Sequence, residues 1–264
     1  DEGAMPRIDA QLDTQAPTYG QRVDATPVQK VLVMVPALNE EESVGAVVTR
    51  VRAVLGVDVV VIDDGSSDET AAMAKAAGAT VLRLPYNLGV GGAIRTGLRY
   101  ARANGYNRVV QMDADGQHDP REARRLLDEL DRCQLDLVVG SRFAAGYEVG
   151  RTRRSTMRLL SNIVSRRVGT IISDTTSGFR AMGPRAIDLF SRHYPLDYLS
   201  DTVEAVLMAA DAGLAVDEID VLMHPRQGGQ PSNPSLRSAY HLGRLLVGIA
   251  LRGYIRRPPK TQEI

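Results

Sequence analysis

Three oxygen-bearing side chains occupy alternate positions after an apolar run in VVQMDADGQHDP, residues 109–120. In an extended or turning chain, Asp113, Asp115 and Gln117 could direct their carboxylate and amide oxygens toward one cation. Such ligands suit hard ions, Mg²⁺ or Mn²⁺, which usually keep positions open for water and substrate phosphate. We therefore expect a divalent-ion site that would assist the departure of a diphosphate leaving group.

Two other interpretations apply to the same acidic stretch. An EF-hand loop needs glycine at its sixth position and glutamate at its twelfth, but here Gly116 is fourth and Arg124 is twelfth. That interpretation is excluded. The second interpretation is retained: the acids belong to a helix N-terminus. Asp119 before Pro120 predicts an N-cap, and the helix dipole favours nearby acids.

The glycine-rich segment NLGVGGAIRTG, residues 87–97, matches neither common nucleotide-binding motif. Ile94 stands where a dinucleotide fingerprint from Gly89 needs glycine, and Leu98 stands where a P-loop from Gly92 needs lysine. The glycines either let the backbone approach a phosphate or sugar, or only form a tight turn.

The elements that must position these residues follow from the hydrophobic pattern. Apolar runs stopped by turn residues predict strands at 30–36, 57–63, 79–84, 107–113 and 135–140, with an added strand at 215–224. Amphipathic segments predict helices from a capping box at Asn39 and Glu42 to Leu55, and at 68–77, 91–104, 120–133, 184–191, 200–212 and 236–255.

Alternation of apolar strands with amphipathic helices predicts an α/β fold with a mainly parallel sheet covered on both faces. Ligands of such sheets bind beyond the carboxyl ends of the strands, where this chain has VPALNE, DDGSSDET, PYNLGVGG and DADGQH. We expect a flexible tail at 1–28, one domain at 29–235, and a basic amphipathic helix with a tail at 236–264.

Composition restricts the cellular setting. The 32 basic and 32 acidic residues balance, but 221–262 contains six arginines, one lysine and no acid. A single cysteine, Cys133, fits a reducing compartment, and its helix-like surroundings predict a buried side chain. Neither a signal-peptide pattern nor an 18-residue apolar stretch occurs in the sequence, so we expect a cytoplasmic protein that can associate with the inner face of the membrane.

The ordered motifs VPALNE, IDDGSSDET, NLGVGGAIRTG, MDADGQH, GSRF and DTTSGFRA, within residues 30–235, resemble those of family 2 glycosyltransferases with the GT-A fold. The resemblance is to the dolichol-phosphate mannosyltransferase or polyprenyl-phosphate glycosyltransferase branch. It implies a metal-dependent, inverting hexosyltransferase that moves a sugar from UDP or GDP to a polyprenyl or dolichyl phosphate.

The resemblance also implies roles for particular residues. Those expected to bind the nucleotide sugar are Pro36, Ala37, Glu40, Asp64, Asn87, Gly89 and Asp113. Mg²⁺ or Mn²⁺ would be held by Asp113, Asp115 and Gln117. Glu69 stands where the family usually has glycine, within the segment that forms the base pocket.

The acceptor phosphate would meet arginines near the same edge of the sheet. The expected residues are Arg142, Arg158, Asp174 and Arg226, although Pro231 occupies the place of the family's serine after Arg226. Residues expected to act in catalysis are Asp115, Arg142, Asp201 and Glu204. Asp201 and Glu204 would supply a base if the acceptor were a hydroxyl, or would only favour a helix N-terminus.

Two alternatives keep the donor site but change the function: transfer to a soluble hydroxyl acceptor, and a non-catalytic nucleotide-sugar sensor. Six arginines at 151–167 and the basic 236–255 segment predict a surface that lies on an anionic membrane without crossing it. The 236–255 helix could instead pack on its own domain or on a second copy in a homodimer. Nucleic acid is not expected as a partner, because the basic segments lack interleaved aromatic residues.

Overall fold

The computed structural model describes residues 29–142, 151–195 and 201–226, with the backbone alone for 151–158. The tail at 1–28 and the helix and tail at 236–264 lie outside these residues. In the part of the chain that the structure describes, one seven-stranded sheet forms the centre, in the order β3-β2-β1-β4-β6-β5-β7. The strands are β1 (Val31–Ala37), β2 (Asp58–Asp63), β3 (Thr80–Arg83), β4 (Arg108–Gln111), β5 (Leu137–Ser141), β6 (Arg180–Met182) and β7 (Val216–Asp220).

Within the described ranges, seven helices cover the sheet on both faces. They are α1 (Val44–Leu55), α2 (Thr70–Ala76), α3 (Val90–Ala103), α4 (Pro120–Arg132), α5 (Arg151–Val168), α6 (Pro184–His193) and α7 (Asp201–Asp211). Alternate strand residues face opposite sides: Leu32 and Met34 pack with α3, α5, α6 and α7, whereas Val33 and Val35 pack with α1, α2 and α4. The expected α/β class with a mainly parallel sheet is confirmed.

One short strand was not expected from the sequence. β6 lies between β4 and β5 and runs antiparallel to both, with Gln111 opposite Arg180 and Leu137 opposite Met182. Its three residues follow the DTTSGF segment directly. The strand returns that segment to the carboxyl edge of the sheet, beside the acidic stretch after β4.

Two expectations were wrong. Helix α1 begins after Ser43, not at a capping box, because Asn39 adopts a positive φ of 54° and its Oδ1 accepts a hydrogen bond from Ser67 N–H at 2.9 Å. Cys133 is exposed rather than buried, since α4 ends at Arg132 and leaves it at the C-cap. Its Sγ contacts Glu129 Oε1 at 3.1 Å.

Helix α5 was also not expected from the sequence, whereas the expected helices within the described residues have similar bounds in the structure. The N-cap expected at Asp119 is confirmed, with its side chain accepting from Arg121 N–H at 2.8 Å and Pro120 at the first helical position. The added strand is shorter than expected, and an isolated bridge between His118 and Met223 follows it. In the described part of the chain, every helix is too short or too polar to cross a membrane.

Candidate active site

The candidate active site lies beyond the carboxyl ends of β1, β2 and β4. These strands are parallel and in register, with Ala37 opposite Asp63 and Met34 opposite Gln111, so the segments that follow them meet at one edge. The segment after β4 contains Asp113, Asp115 and Gln117. The structure therefore gathers the acidic segments as the fold class predicted.

The turn after β4 is held from beneath by a buried histidine. His118 Nδ1 accepts a hydrogen bond from Asp113 N–H at 2.9 Å, and its ring stacks on Phe179 with centroids 4.4 Å apart. Burial lowers the pKa of His118. Because Nδ1 accepts a hydrogen bond, the ring carries its proton on Nε2. His224 N–H, donating to the Gln117 carbonyl at 2.8 Å, fixes the other end of the turn.

The two carboxylates of this turn differ in accessibility. The Asp113 side chain is 45% exposed, whereas that of Asp115 is 8% exposed. Asp115 Oδ1 accepts from Gln117 N–H at 3.0 Å, and its Oδ2 lies 3.8 Å from Arg226 Nε. The carboxylate of Asp113 is therefore accessible to a ligand, whereas that of Asp115 is buried.

The side-chain oxygens of this turn are chemically suited to a hard cation, but they do not form a complete set of ligands. Among the described residues, no group of three or more His, Cys, Asp or Glu side chains is arranged to hold a metal ion. The donors of the turn are two carboxylates and one amide, all oxygen, as Mg²⁺ and Mn²⁺ prefer. Such a site suits an ion whose remaining positions are filled by water and phosphate.

The segments after β2 and β3 are ordered by Asp64. Its Oδ1 accepts from Leu88 N–H at 2.8 Å, and burial raises its pKa. Asn87 Oδ1 accepts from Gly89 N–H at 2.8 Å, and Gly89 precedes α3 with a φ of 82°. Asp64, Asn87 and Gly89, which are expected to bind the nucleotide sugar, therefore lie in adjoining segments, and Asp64 also fixes the loop backbone.

A basic residue links the ends of β1 and β4. Arg226 Nη2 lies 3.1 Å from Glu40 Oε1, and its Nε lies 3.8 Å from Asp115 Oδ2. Burial raises the pKa of Glu40, while Ser43 and Arg226 partly offset this effect. Pro36 is half-buried and Ala37 is buried at the same edge. Arg226 thus lies against the acids expected on the donor side.

Arg142 and Asp174 form the best-defined ion pair of the site. Arg142 Nε donates to Asp174 Oδ2 at 2.7 Å, and Nη2 donates to Asp174 Oδ1 and to Thr176 Oγ1, both at 2.9 Å. Burial alone would raise the pKa of Asp174, but the arginine lowers it below the ordinary value. Asp174 is fully buried and the Arg142 side chain is 25% exposed, so the carboxylate holds an arginine that reaches solvent.

Sequence reasoning missed the residue behind this pair, Glu218 in β7. It accepts from Ser173 N–H at 3.0 Å and from Asp174 N–H at 2.8 Å. The pairing of β7 with β5 places Glu218 opposite Val139 and brings its carboxylate to the site. An acidic residue within a strand-like segment was the available signal.

Asp201 and Glu204 lie in the first turn of α7, as expected. Asp201 is 2% exposed, and its Oδ2 has no hydrogen-bond partner in the described part of the chain. Burial raises its pKa to about 6; the charge of Arg180 lowers it and that of Asp113 raises it. Glu204 is half-buried. Arg158 lies in α5, but its side chain is outside the described atoms.

A family model described as "Glycosyl transferase family 2" matches residues 32–190, which span the donor-side acids, the turn after β4 and the Arg142–Asp174 pair. The chain belongs to glycosyltransferase family 2. Polyprenol monophosphomannose synthase of Mycolicibacterium smegmatis is 38% identical over 165 residues, which cover 59% of this chain and 62% of that protein. Undecaprenyl-phosphate mannosyltransferase of Micrococcus luteus is 37% identical over 172 residues, covering 61% of this chain and 70% of that protein.

This family 2 glycosyltransferase also resembles solved structures. Glucosyl-3-phosphoglycerate synthase of Mycobacterium tuberculosis, in complex with Mn²⁺, UDP and phosphoglyceric acid, matches with a TM-score of 0.65 and 20% identity, covering 85% of this chain and 78% of that one. At this identity the similarity shows the fold alone. The expected GT-A fold is thereby confirmed.

Proposed function

We propose that this family 2 glycosyltransferase transfers a sugar from UDP or GDP to a polyprenyl phosphate. The observation that carries the proposal is the fixed Arg142, held by the fully buried Asp174 at the sheet edge where Asp113 and Asp115 lie. Two relatives support the same acceptor class by their names: a polyprenol monophosphomannose synthase at 38% identity and an undecaprenyl-phosphate mannosyltransferase at 37% identity.

On the donor side, Asp113, Asp115 and Gln117 would hold Mg²⁺ or Mn²⁺ against the diphosphate. When bound, the ion would supply charge stabilisation to the leaving nucleotide diphosphate. By the resemblance, Glu40 and Asp64 would contact the nucleoside, and Asp113 would meet the sugar. Arg226, which lies beside Asp115, would add positive charge near the same phosphates.

On the acceptor side, Arg142 would orient the lipid phosphate for in-line attack. A phosphate oxygen forms the new bond to the anomeric carbon while the bond from that carbon to the diphosphate oxygen breaks, with inversion. A phosphate acceptor is already ionised near neutral pH, so the step needs no strong base. Arg142 would contribute a fixed positive charge to this phosphate, because Asp174 holds its guanidinium through Nε and Nη2.

A second candidate function is transfer to a soluble hydroxyl acceptor. Asp201 favours it, because a buried carboxylate with a pKa of about 6 is suited to accept a proton near neutral pH. The charge of Asp113 contributes to the raised pKa of Asp201, so the two carboxylates lie near enough to interact. In that reaction Asp201 would take the hydroxyl proton as the new bond forms.

We further propose that the enzyme works at a membrane surface without spanning it. A lipid phosphate presents its head group at that surface, and exposed apolar side chains lie near the Arg142–Asp174 pair. Ile171, three residues before Asp174, is 77% exposed. Leu222 is 64% exposed and follows Val221, whose N–H donates to the Ser141 carbonyl at 2.9 Å. The expected inner-face location and homodimer remain predictions, as does the role of the 236–264 segment.

The deciding experiment compares acceptors. The full chain is incubated with Mn²⁺, labelled UDP- and GDP-sugars, and polyprenyl phosphate, polyprenol or a panel of soluble sugars, and products are identified by mass. We expect product with polyprenyl phosphate, at least tenfold less after Asp115→Asn, and unchanged yield after Asp128→Asn, an exposed acid on α4. Product only with a soluble hydroxyl acceptor would support the second candidate, and donor binding without any transfer would indicate a sensor.

A further inference from the structure

A second carboxylate lies behind the Arg142–Asp174 pair. Glu218 is half-buried in β7 and receives three hydrogen bonds from one turn: from Ser173 N–H at 3.0 Å, Ser173 Oγ–H at 2.5 Å and Asp174 N–H at 2.8 Å. Two successive backbone N–H groups thus point at one carboxylate. The conformation of the turn is therefore tied to this side chain.

The turn in question carries the residue that orients Arg142. Asp174 binds Arg142 through both carboxylate oxygens, and Thr176 Oγ1 accepts a further bond from the same guanidinium. Ser173, the neighbour of Asp174, also contacts Ser141 at the end of β5, 3.0 Å between hydroxyl oxygens. A shift of the Ser173–Asp174 backbone would therefore rotate the guanidinium of Arg142.

A carboxylate at position 218 is energetically unfavourable if its side chain only fills space. Burial raises the pKa of Glu218, and its hydrogen bonds from Ser173 and Asp174 offset only part of this rise, so burying the ionised carboxylate carries a cost. An apolar side chain would avoid this cost. What an apolar residue or a glutamine cannot provide is two acceptor oxygens for the three donors of the turn.

We infer that Glu218 is a positioning residue for the acceptor phosphate, acting through the Ser173–Asp174 turn to fix the direction in which Arg142 presents its guanidinium. The inference rests on the proposed function, because it assigns the phosphate to Arg142. Glu218 itself contacts neither donor nor acceptor. Its effect is therefore on acceptor binding and alignment, and donor binding is independent of it.

The test measures kinetic constants for both substrates in Glu218→Gln, with Asp220→Asn as the matched control. Asp220 is an exposed acid two residues further along β7, so its replacement removes the same charge from the same strand. In Glu218→Gln we expect the KM for polyprenyl phosphate to rise roughly tenfold, as for loss of a hydrogen bond to a charged group. Its KM for the nucleotide sugar should stay within about twofold of wild type.

A double variant separates positioning from general loosening of the strand. If Glu218 acts through Arg142, Glu218→Gln should add no further rise in acceptor KM when Arg142 is already alanine. An equal multiplicative rise on that background would overturn the inference. Should Glu218→Gln fail to fold, Ser173→Ala replaces it. This substitution removes the hydroxyl that donates to Glu218 and contacts Ser141. A rise of about threefold in acceptor KM is expected.

The outcomes distinguish a failure of the proposed function from a failure of the role inferred for Glu218. If the wild-type protein transfers no sugar to polyprenyl phosphate, the proposed function is wrong and this inference falls with it. If wild type transfers sugar, but Glu218→Gln matches Asp220→Asn in both KM values and in kcat, only the inference is wrong.

Discussion

Replacing Asp201 with asparagine should stabilise the fold, and more so at alkaline than at acidic pH. Burial raises the folded-state pKa of Asp201 to about 6 from an ordinary 3.8. Below the ordinary value the carboxyl is protonated in both folded and unfolded states, so folding carries no charge penalty. As pH rises through about 6, folding increasingly requires a desolvated carboxylate, and the advantage of the protonated form is lost.

The size of the effect follows from the two pKa values. A difference of roughly two units corresponds to about 3 kcal/mol when the carboxylate is fully ionised in both states. Only part of this penalty is present at about pH 4.5, so the gain from Asp201→Asn should grow by about 2 kcal/mol between about pH 4.5 and about pH 8. Asparagine keeps the shape of the side chain, and it is also accepted at helix N-termini.

Urea unfolding of metal-free protein at the two pH values measures this gain. Glu204→Gln is the matched control, because it removes a carboxylate from the same turn of α7 that is less buried. A stability difference between wild type and Asp201→Asn that is the same at both pH values would refute the assignment of Asp201 as a desolvated acid.

Three further substitutions have defined outcomes. Gly97→Ala would place Cβ 2.8 Å from Ile62 Cδ1 and closer to the Met34 sulfur, so urea unfolding should show a loss of about 1–3 kcal/mol; an unchanged midpoint would contradict the α3 packing. Gly178→Ala would place Cβ 3.0 Å from Asp113 Oδ1, and calorimetric titration should show weaker Mn²⁺-dependent nucleotide binding with the fold intact. Asp119→Ala removes the N-cap bond of α4, and a loss of about 1 kcal/mol in thermal unfolding is expected, whereas no loss would mean that another group caps the helix.

The sequence predicted the parallel part of the sheet because its signals are local. Each of the first five strands is an apolar run that ends at turn residues, and each of the first four is followed by an amphipathic helix, so their parallel direction follows from chain connectivity. The acids of the donor side then had to meet at one edge. Asp113, Asp115 and Glu40 were found together for this reason.

The remaining features depend on contacts distant in sequence. β6 has three residues, too few for a period, and its pairing with β4 and β5 is set by the sheet rather than by its own side chains. Glu218 contacts a turn 44 residues away, so local patterns cannot identify it. Asn39 and Glu42 have the spacing of a capping box, so the local sequence predicted a helix cap. Asn39 instead bonds Ser67 in the loop after β2, a contact that the local sequence does not indicate.

The most direct test of the central claim is the effect of Mn²⁺ on nucleotide binding. UDP and GDP are titrated into wild-type protein with Mn²⁺ or with EDTA, and the same titrations are made with Asp113→Asn and Asp115→Asn. The proposed donor site predicts that Mn²⁺ tightens the preferred nucleotide at least about tenfold in wild type, and that either variant loses most of this gain. Equal affinity with Mn²⁺ and EDTA, or full Mn²⁺ enhancement in both variants, would contradict it.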